Sequence, residues 1–374
     1  MTAFDRDDVS VIEPPGSGGG CLRLLAFGAA VPLDSASKLS WRSDLAVEVA
    51  TYEHALATPL RSGGAEGRRI IGAVYDRDGG LVTDSLRAKH NRVWKDNPRQ
   101  LSAGIWAEAA AGAASAMHLP GRTFYAGHRR DAFGHFLLET MPRLWPDLDY
   151  RAFDTFLYYG TRLGRRDASA PHPAYARDLL VALGAGGPRG VVVRTQPIAV
   201  DELVVSTPAF VLQTQFSPTC ADVFERVAQR VCEAATTAVD QVPARRVYLS
   251  RSRLGPPHRA ATNETAVEEV VQRLGFTVVH PQELTIAAQV ALVRGADVVA
   301  GCDGSALHLA AFARPGTVLV AFDSRIVVNQ LMIDQLARLD AVHVLAHDGR
   351  TDRKGSWAAD LDRVRYALEL AGVS

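Results

Sequence analysis

The sequence predicts an α/β protein made of two layered halves, and three observations carry that prediction. Residues 298–322, VVAGCDGSALHLAAFARPGTVLVAF, read as strand, tight turn, helix, turn and strand. Residues 152–200 and 246–301 show the same alternation of short apolar runs with runs of helical spacing. Between them, 221–235 is amphipathic, with Val223, Phe224, Val227 and Val231 at helical spacing, and is placed to join the halves. A chain of 374 residues has room for two domains, each with its own core. The boundary is expected at 215/216. That gives an amino-terminal domain, 1–215, with a β-rich entry region, and a carboxyl-terminal domain, 216–374, closed by a terminal helix.

Taken in order, residues 14–20 (PPGSGGG) form a breaker-rich stretch with no element assigned. From 21 to 120, short apolar runs are interrupted by Gly, Asp and Asn, and 76–80 (DRDGG) between two such runs is a hairpin signal. Residues 122–126 read as a strand. Residues 131–145, DAFGHFLLETMPRLW, read as a helix that Pro142 breaks or kinks. Strands are expected at 155–159, 191–194 and 202–206, and a helix at 174–183 ending at Gly184. In the second half, strands are expected at 246–250, 276–279, 298–300, 317–322 and 341–346. Helices are expected at 263–274, 285–294, 305–314 and 357–371.

Composition excludes several classes. Lys plus Arg and Asp plus Glu both total 41, so no net field draws nucleic acid or an anionic membrane. Cys21, Cys220, Cys232 and Cys302 lack the spacing of a metal knuckle or a disulfide framework. The first residues, MTAFDRDDVSVIEPP, do not read as a signal peptide, and no apolar run is long enough to span a membrane, so a cytoplasmic protein is expected. There is no G-x-x-x-x-G-K-[ST], no G-x-G-x-x-G followed by an acidic residue, no G-x-S-x-G and no D-x-D motif between an early strand and a helix. P-loop phosphoryl transfer, nicotinamide chemistry, a hydrolase elbow and a metal-held nucleotide-sugar site are therefore unsupported.

Two groups of residues could carry chemistry. At 301–306, Gly301 and Gly304 allow a tight turn, and the N–H groups of Gly304, Ser305 and Ala306 at a helix start suit a phosphate. Arg251, Arg253 and Arg259 follow the end of strand 246–250 and offer forked cationic donors for the same anion. Asp303, in the turn, is either a turn-former or a general base. Asn263 and Glu264 read as a helix cap and a dipole partner. In the first half, His135, Glu139 and Arg143 recur at i, i+4 and i+8, one polar line on an apolar helix. Such a line suits a cleft wall, where burial would raise a carboxylate towards a useful base.

The motifs GHFLLETMPRLW (134–145), YLSRSR with NE (248–253, 263–264), the run 275–301 and DGSALHLAAFARPGTVLV (303–320) together resemble glycosyltransferase family 61, over roughly 70–345. That resemblance implies a GT-B architecture, two Rossmann-like domains facing a central cleft. It implies inverting transfer from a nucleotide sugar, UDP-linked by expectation, to a hydroxyl of a saccharide or small molecule, with no metal and no other cofactor. It places Arg251 and Arg253 with Gly304, Ser305 and Ala306 on the donor diphosphate, and Asn263, Glu264, Glu283 and Gln289 around the donor; Arg259 of the same loop and His308 of the following helix are further donor-binding candidates. His135 and Glu139 would face the transferring sugar and the acceptor. Many members have His where this chain has Asp303, so the base stays open between Glu139, Asp303 and His135. The competing reading is a nucleotide-sugar-binding protein of the same fold without catalysis.

Overall fold

A computed structural model describes residues 9–12, 22–27, 41–59, 61–63, 69–71, 73–89, 92–93, 116–160, 171–235, 244–255, 261–351 and 357–373. Arg259, Cys21 and the stretch 14–20 lie outside the described residues. The chain forms two compact units, Asp44–Val223 and Met1–Ser43 with Phe224–Ser374. The sequence boundary at 215/216 does not capture this division. Leu22–Phe27 pairs in parallel with Asp340–Leu345, so the beginning of the chain extends the carboxyl-terminal sheet.

In Asp44–Val223, a mixed six-stranded sheet has the order Arg189–Val193, Thr155–Gly160, Met117–Arg129, Ile198–Ser206, Val49–Ala57, Val74–Tyr75. The first four strands are parallel and the last two antiparallel. Thr155–Gly160 is a β-branched and aromatic run buried over its first five residues, as a central strand covered on both faces requires. Ala174–Ala182 crosses from it to Arg189–Val193 and ends at Gly184, whose φ of +75° suits only a residue without a side chain. The hairpin signal at 76–80 becomes a tight turn. The Asp76 carboxylate accepts from the N–H groups of Asp78 and Gly80 at 3.0 and 2.6 Å, and only Leu81 bridges back to Tyr75.

The other unit carries a seven-stranded sheet. Its order is Val9–Ile12, Leu22–Phe27, Asp340–Leu345, Val318–Asp323, Val298–Cys302, Arg246–Leu249, Thr277–Val279, parallel except for the first pair. Strands expected at 246–250, 276–279, 298–300, 317–322 and 341–346 all form. Tyr248, Ala300, Phe322, Val342 and Val344 pack with Val270, Val271, Val364 and Leu368 of two helices, Glu264–Arg273 and Leu361–Leu370. The alternate residues Val247, Val299, Leu319, Ala321 and Ala341 are equally buried, so both faces of the sheet are covered. Full burial of each Val, Leu or Phe contributes about 1.5–3 kcal/mol.

Two local expectations change, and one helix is not expected from the sequence at all. The helix expected at 305–314 is a six-residue 3₁₀ helix, Leu307–Phe312, with every residue buried. It packs against Ile286–Gly295 and Val328–Leu336 and stops before Pro315, and a tight turn fits that confined space. The terminal helix expected at 357–371 is a strand, Trp357–Ala359, followed by Leu361–Leu370, which Asp360 caps through the N–H groups of Asp362 and Arg363. Val328–Leu336 has no amphipathic face for a sequence pattern to show, because seven of its nine residues are buried.

Candidate functional site

The carboxyl-terminal unit positions its site through topology. The chain leaves Arg246–Leu249 for Thr277–Val279 on one side and leaves Val298–Cys302 for Val318–Asp323 on the other. Arg246–Leu249 and Val298–Cys302 are therefore adjacent parallel strands whose connections run in opposite directions. Such a switch point opens a crevice at the carboxyl ends of the strands, where open α/β sheets bind ligands. The register Arg246↔Val298 to Tyr248↔Ala300 brings the 250–254 loop beside the 303–306 turn.

Close packing explains both glycines of that turn. A Cβ on Gly301 would lie 3.1 Å from the Leu249 carbonyl oxygen and 3.0 Å from the Leu307 side chain. Gly304 has φ of +151°, and a Cβ there would fall 2.3 Å from Arg251 Nη1, because the guanidinium lies across its backbone. Arg251 Nη1 donates to the Asp303 carbonyl, and the Arg251 N–H donates to Glu264 Oε1 at 2.9 Å. Arg251 is 9% exposed, and no carboxylate lies within ion-pair distance of its guanidinium among the described residues. The N–H groups of Gly304, Ser305 and Ala306 have no protein acceptor among the described residues either. A buried guanidinium with no carboxylate within ion-pair distance, beside three N–H groups with no protein acceptor among the described residues, offers donors suited to an anion. The 3₁₀ helix weakens the dipole argument drawn from sequence, and the charge rests on Arg251.

The other donor candidates separate into distinct roles. Arg253 is exposed and is bound by Glu283 at 3.0 and 3.1 Å, so these two candidates hold each other. Asn263 does not cap its helix. Its amide clamps the backbone of Ala359 in both directions, at 2.9 and 2.7 Å. Gln289 donates to the carbonyls of Pro281 and Leu284 at 2.8 and 3.0 Å and so shapes that loop. Glu264 is not a surface dipole partner but a buried carboxylate. Burial pushes its pKa up, against the opposing hydrogen bond and charge of Arg251. Its Oε1 also accepts from the Tyr248 hydroxyl at 3.2 Å, while Oε2 has no partner among the described residues. Asp303 accepts from the Ser324 hydroxyl at 2.6 Å. His308 is 8% exposed, with Nδ1 2.8 Å from Gln330 Oε1.

In the amino-terminal unit, the segment after Met117–Arg129 builds the second group. Phe133–His135 starts as α-helix, Phe136–Thr140 widens to a π-turn, and Met141–Arg143 tightens to 3₁₀. Pro142 has no N–H to give and its ring would strike the carbonyl four residues back, and the widened turn avoids both problems. His135 Nδ1 hydrogen-bonds Glu139 Oε1, and Arg87 grips both Glu139 oxygens, through Nε to Oε2 and through Nη2 to Oε1 at 2.8 Å. Burial pushes the Glu139 pKa up, but the bonds from His135 and Arg87 outweigh it and hold the carboxyl down at about 2. The sequence expectation of a raised carboxylate is therefore reversed. Arg143 is buried as a structural rivet. Nη1 donates to the Ser206 carbonyl at 3.0 Å, its own carbonyl accepts from Ser206 Oγ at 2.6 Å, and the guanidinium lies 5.0 Å over the Tyr125 ring. His128 is buried and neutral, pulled down to about 3 by burial and then by the charges of Arg87 and Arg143. Arg87, Glu139, Arg143 and His128 line a pocket whose apolar wall is Pro208 and Phe210 to Leu212.

His135 is the most exposed member of this group, and Nε2 has no partner among the described residues. A carboxylate that orients one imidazole nitrogen and leaves the other outward is the arrangement of a general base with its positioning group. The sequence reading missed Arg87, one of several basic residues in the stretch 87–95 of the entry region, and missed Glu268, which accepts from both Ser250 and Ser252 and shapes the Arg251 loop.

One unit is a parallel α/β sheet with Arg251 and unused backbone donors at its switch point, and the other unit holds a histidine oriented by a carboxylate. The family model for Glycosyltransferase 61 matches residues 133–320, from the start of the His135 helix through the Arg251 loop and the 303–312 turn. The chain belongs to glycosyltransferase family 61 and is a glycosyltransferase, acting on a sugar donor and an acceptor. No curated protein matches it. No helix among the described residues is long and apolar enough to cross a membrane.

Proposed function

We propose that the protein is an inverting, metal-independent enzyme of GT-B type. It moves a sugar from a nucleoside diphosphate, UDP by expectation, to a hydroxyl of a saccharide or small molecule. The observation that carries the donor half is Arg251, a buried guanidinium with no carboxylate partner among the described residues, lying on the Gly304 turn. The leaving diphosphate gains negative charge as the anomeric C–O bond breaks. Arg251 and the N–H groups of Gly304, Ser305 and Ala306 are pre-set donors for that charge, the role a divalent cation takes elsewhere.

In this reading His135 is the base and Glu139 its positioning group. The acceptor O–H gives its proton to His135 Nε2, the oxygen bonds to the anomeric carbon from the face opposite the leaving group, and the diphosphate departs with the electron pair. Glu139, held near 2 by two partners, is too weakly basic for that task but well suited to steady the imidazolium that forms. Asp303 is engaged by Ser324 and belongs to the donor turn.

The test is a thermal-shift series with UDP, GDP and ADP, with and without EDTA, on wild type and Arg251→Ala. A ligand at about 100 times its Kd adds about 2.7 kcal/mol of stability. A shift with one nucleotide, unchanged by chelator and lost in Arg251→Ala, is expected. A shift that survives the substitution refutes the phosphate role of Arg251. His135→Ala should lower kcat by about 10²–10⁴ with donor Kd unchanged, and near-normal turnover would remove His135 as the base.

A further inference from the structure

The carboxyl-terminal unit buries a chain of polar groups that ends on the donor turn. His343, in the strand Asp340–Leu345, is fully buried. Its Nδ1 lies 2.7 Å from Asp323 Oδ2 and its Nε2 lies 2.7 Å from Asp334 Oδ2. A carboxylate only accepts, so both ring nitrogens must carry hydrogen and the ring is an imidazolium. The other oxygen of Asp334 faces Gln330 Nε2 at 2.8 Å, which fixes the amide so that its carbonyl oxygen faces His308 Nδ1 at 2.8 Å. His308 must then donate from Nδ1, and a neutral His308 ring carries its lone pair on Nε2. At the other end, Asp323 closes the strand Val318–Asp323, and the carbonyl of its neighbour Phe322 accepts from the Asp303 N–H at 2.9 Å. The next residue, Ser324, bonds the Asp303 carboxylate. The chain thus touches the donor turn at both ends, Asp303 and His308.

Sequence patterns hide this device. Asp334 and Gln330 sit one helical turn apart in the buried run VNQLMIDQL, and His343 sits in a buried strand. Four polar side chains, Asp323, Gln330, Asp334 and His343, are kept at 2% exposure or less, and Asp323 Oδ1 has no partner among the described residues; burying them is costly, which argues for a role beyond filling space.

We propose that His343, clamped by Asp323 and Asp334, is a positioning residue for the donor turn, and that Gln330 transmits its hold to His308 by fixing the Nδ1–H tautomer. The proposal rests on the reading that the Asp303–His308 turn receives the nucleotide donor. Gln330→Met cuts the link and leaves the charged clamp intact.

The experiment uses the full chain labelled with ¹⁵N-histidine, with His308 assigned by its disappearance in His308→Asn. Long-range nitrogen–proton correlations should show His308 protonated at Nδ1 in wild type and at Nε2 in Gln330→Met. Kd for UDP, GDP or ADP, whichever binds wild type, should rise about tenfold in the variant, with kcat at saturating donor within about twofold. An unchanged tautomer, or a changed tautomer with unchanged affinity, overturns the proposal. If wild type binds no nucleotide, the donor reading fails, and the tautomer still decides whether the chain sets His308. If Gln330→Met does not fold, Asp334→Asn takes its place with the same two readouts.

Discussion

Gly304→Ala tests the anion site because the expected cost has two separable parts. The first is backbone strain, since φ of +151° is poorly tolerated by a residue with a side chain and costs about 1–2 kcal/mol. The second is a collision, since the new Cβ would fall 2.3 Å from Arg251 Nη1 and 2.5 Å from its Cζ. The guanidinium must leave and give up its bond to the Asp303 carbonyl, and a hydrogen bond to a charged group is worth about 1.5–3 kcal/mol. The sum is about 2.5–5 kcal/mol in wild type. In an Arg251→Ala background only the strain is left, so the same substitution should cost about 1–2 kcal/mol. The coupling between the two sites is then about 1.5–3 kcal/mol, well above the few tenths expected of independent positions. Urea unfolding of the four proteins, followed by circular dichroism, gives the cycle directly. Additive effects would refute the claim that Arg251 is seated on Gly304, and with it the fixed cation on which the donor site depends. Nucleotide affinity supplies an independent check, because Gly304→Ala and Arg251→Ala should abolish the same thermal shift.

Two further outcomes follow from the charge pairs. Burial pulls the His343 pKa down, but the flanking carboxylates of Asp323 and Asp334 outweigh it and push the ring up to about 10. A group raised on folding stabilises fully below its unfolded pKa of about 6.5 and loses that contribution as pH rises towards 10, so stability from urea titrations should fall between pH 6.5 and 9.5. His343→Asn should flatten that slope, and an equal slope in both proteins would contradict the assignment. Arg253→Ala, by contrast, removes an exposed pair with Glu283 and should change stability by less than about 1 kcal/mol, with nucleotide binding retained. Loss of binding there would return Arg253 to the donor site.

The strand rhythm of the carboxyl-terminal unit is legible because its strands are β-branched runs flanked by Gly, Pro, Asp and Ser, and their side-chain period survives in sequence. Arg251 and Gly304 are legible as site residues because each answers a local demand, a cation after a strand end and a backbone open to close approach. What sequence hides is pairing across distance. Arg253 and Arg251 look alike in YLSRSR, yet one is neutralised by Glu283, 30 residues on, and the other is not. Glu139 reads as a candidate base until Arg87, 52 residues earlier, closes on it. Leu22–Phe27 joins a sheet whose nearest strand in space begins at Asp340, and no local pattern announces that.

The 3₁₀ form of Leu307–Phe312 changes where leaving-group stabilisation must come from. A helix dipole near an anion is worth about 0.3–1 kcal/mol even in an exposed α-helix and falls off within a turn, so a six-residue 3₁₀ helix adds little. A charge-assisted bond from a guanidinium is worth about 1.5–3 kcal/mol, and more where water is excluded. Arg251 is seated by Gly304, tied to the Asp303 carbonyl and anchored by its N–H on Glu264, so little side-chain entropy is left to lose when an anion arrives. Glu264 accepts from the Arg251 backbone N–H rather than from the guanidinium, so it holds the loop while the guanidinium bonds the Asp303 carbonyl. In the proposed donor site, a turn with a glycine under a buried arginine takes the place of a longer helix or a bound cation, so Gly304 and Arg251 must be kept or lost together.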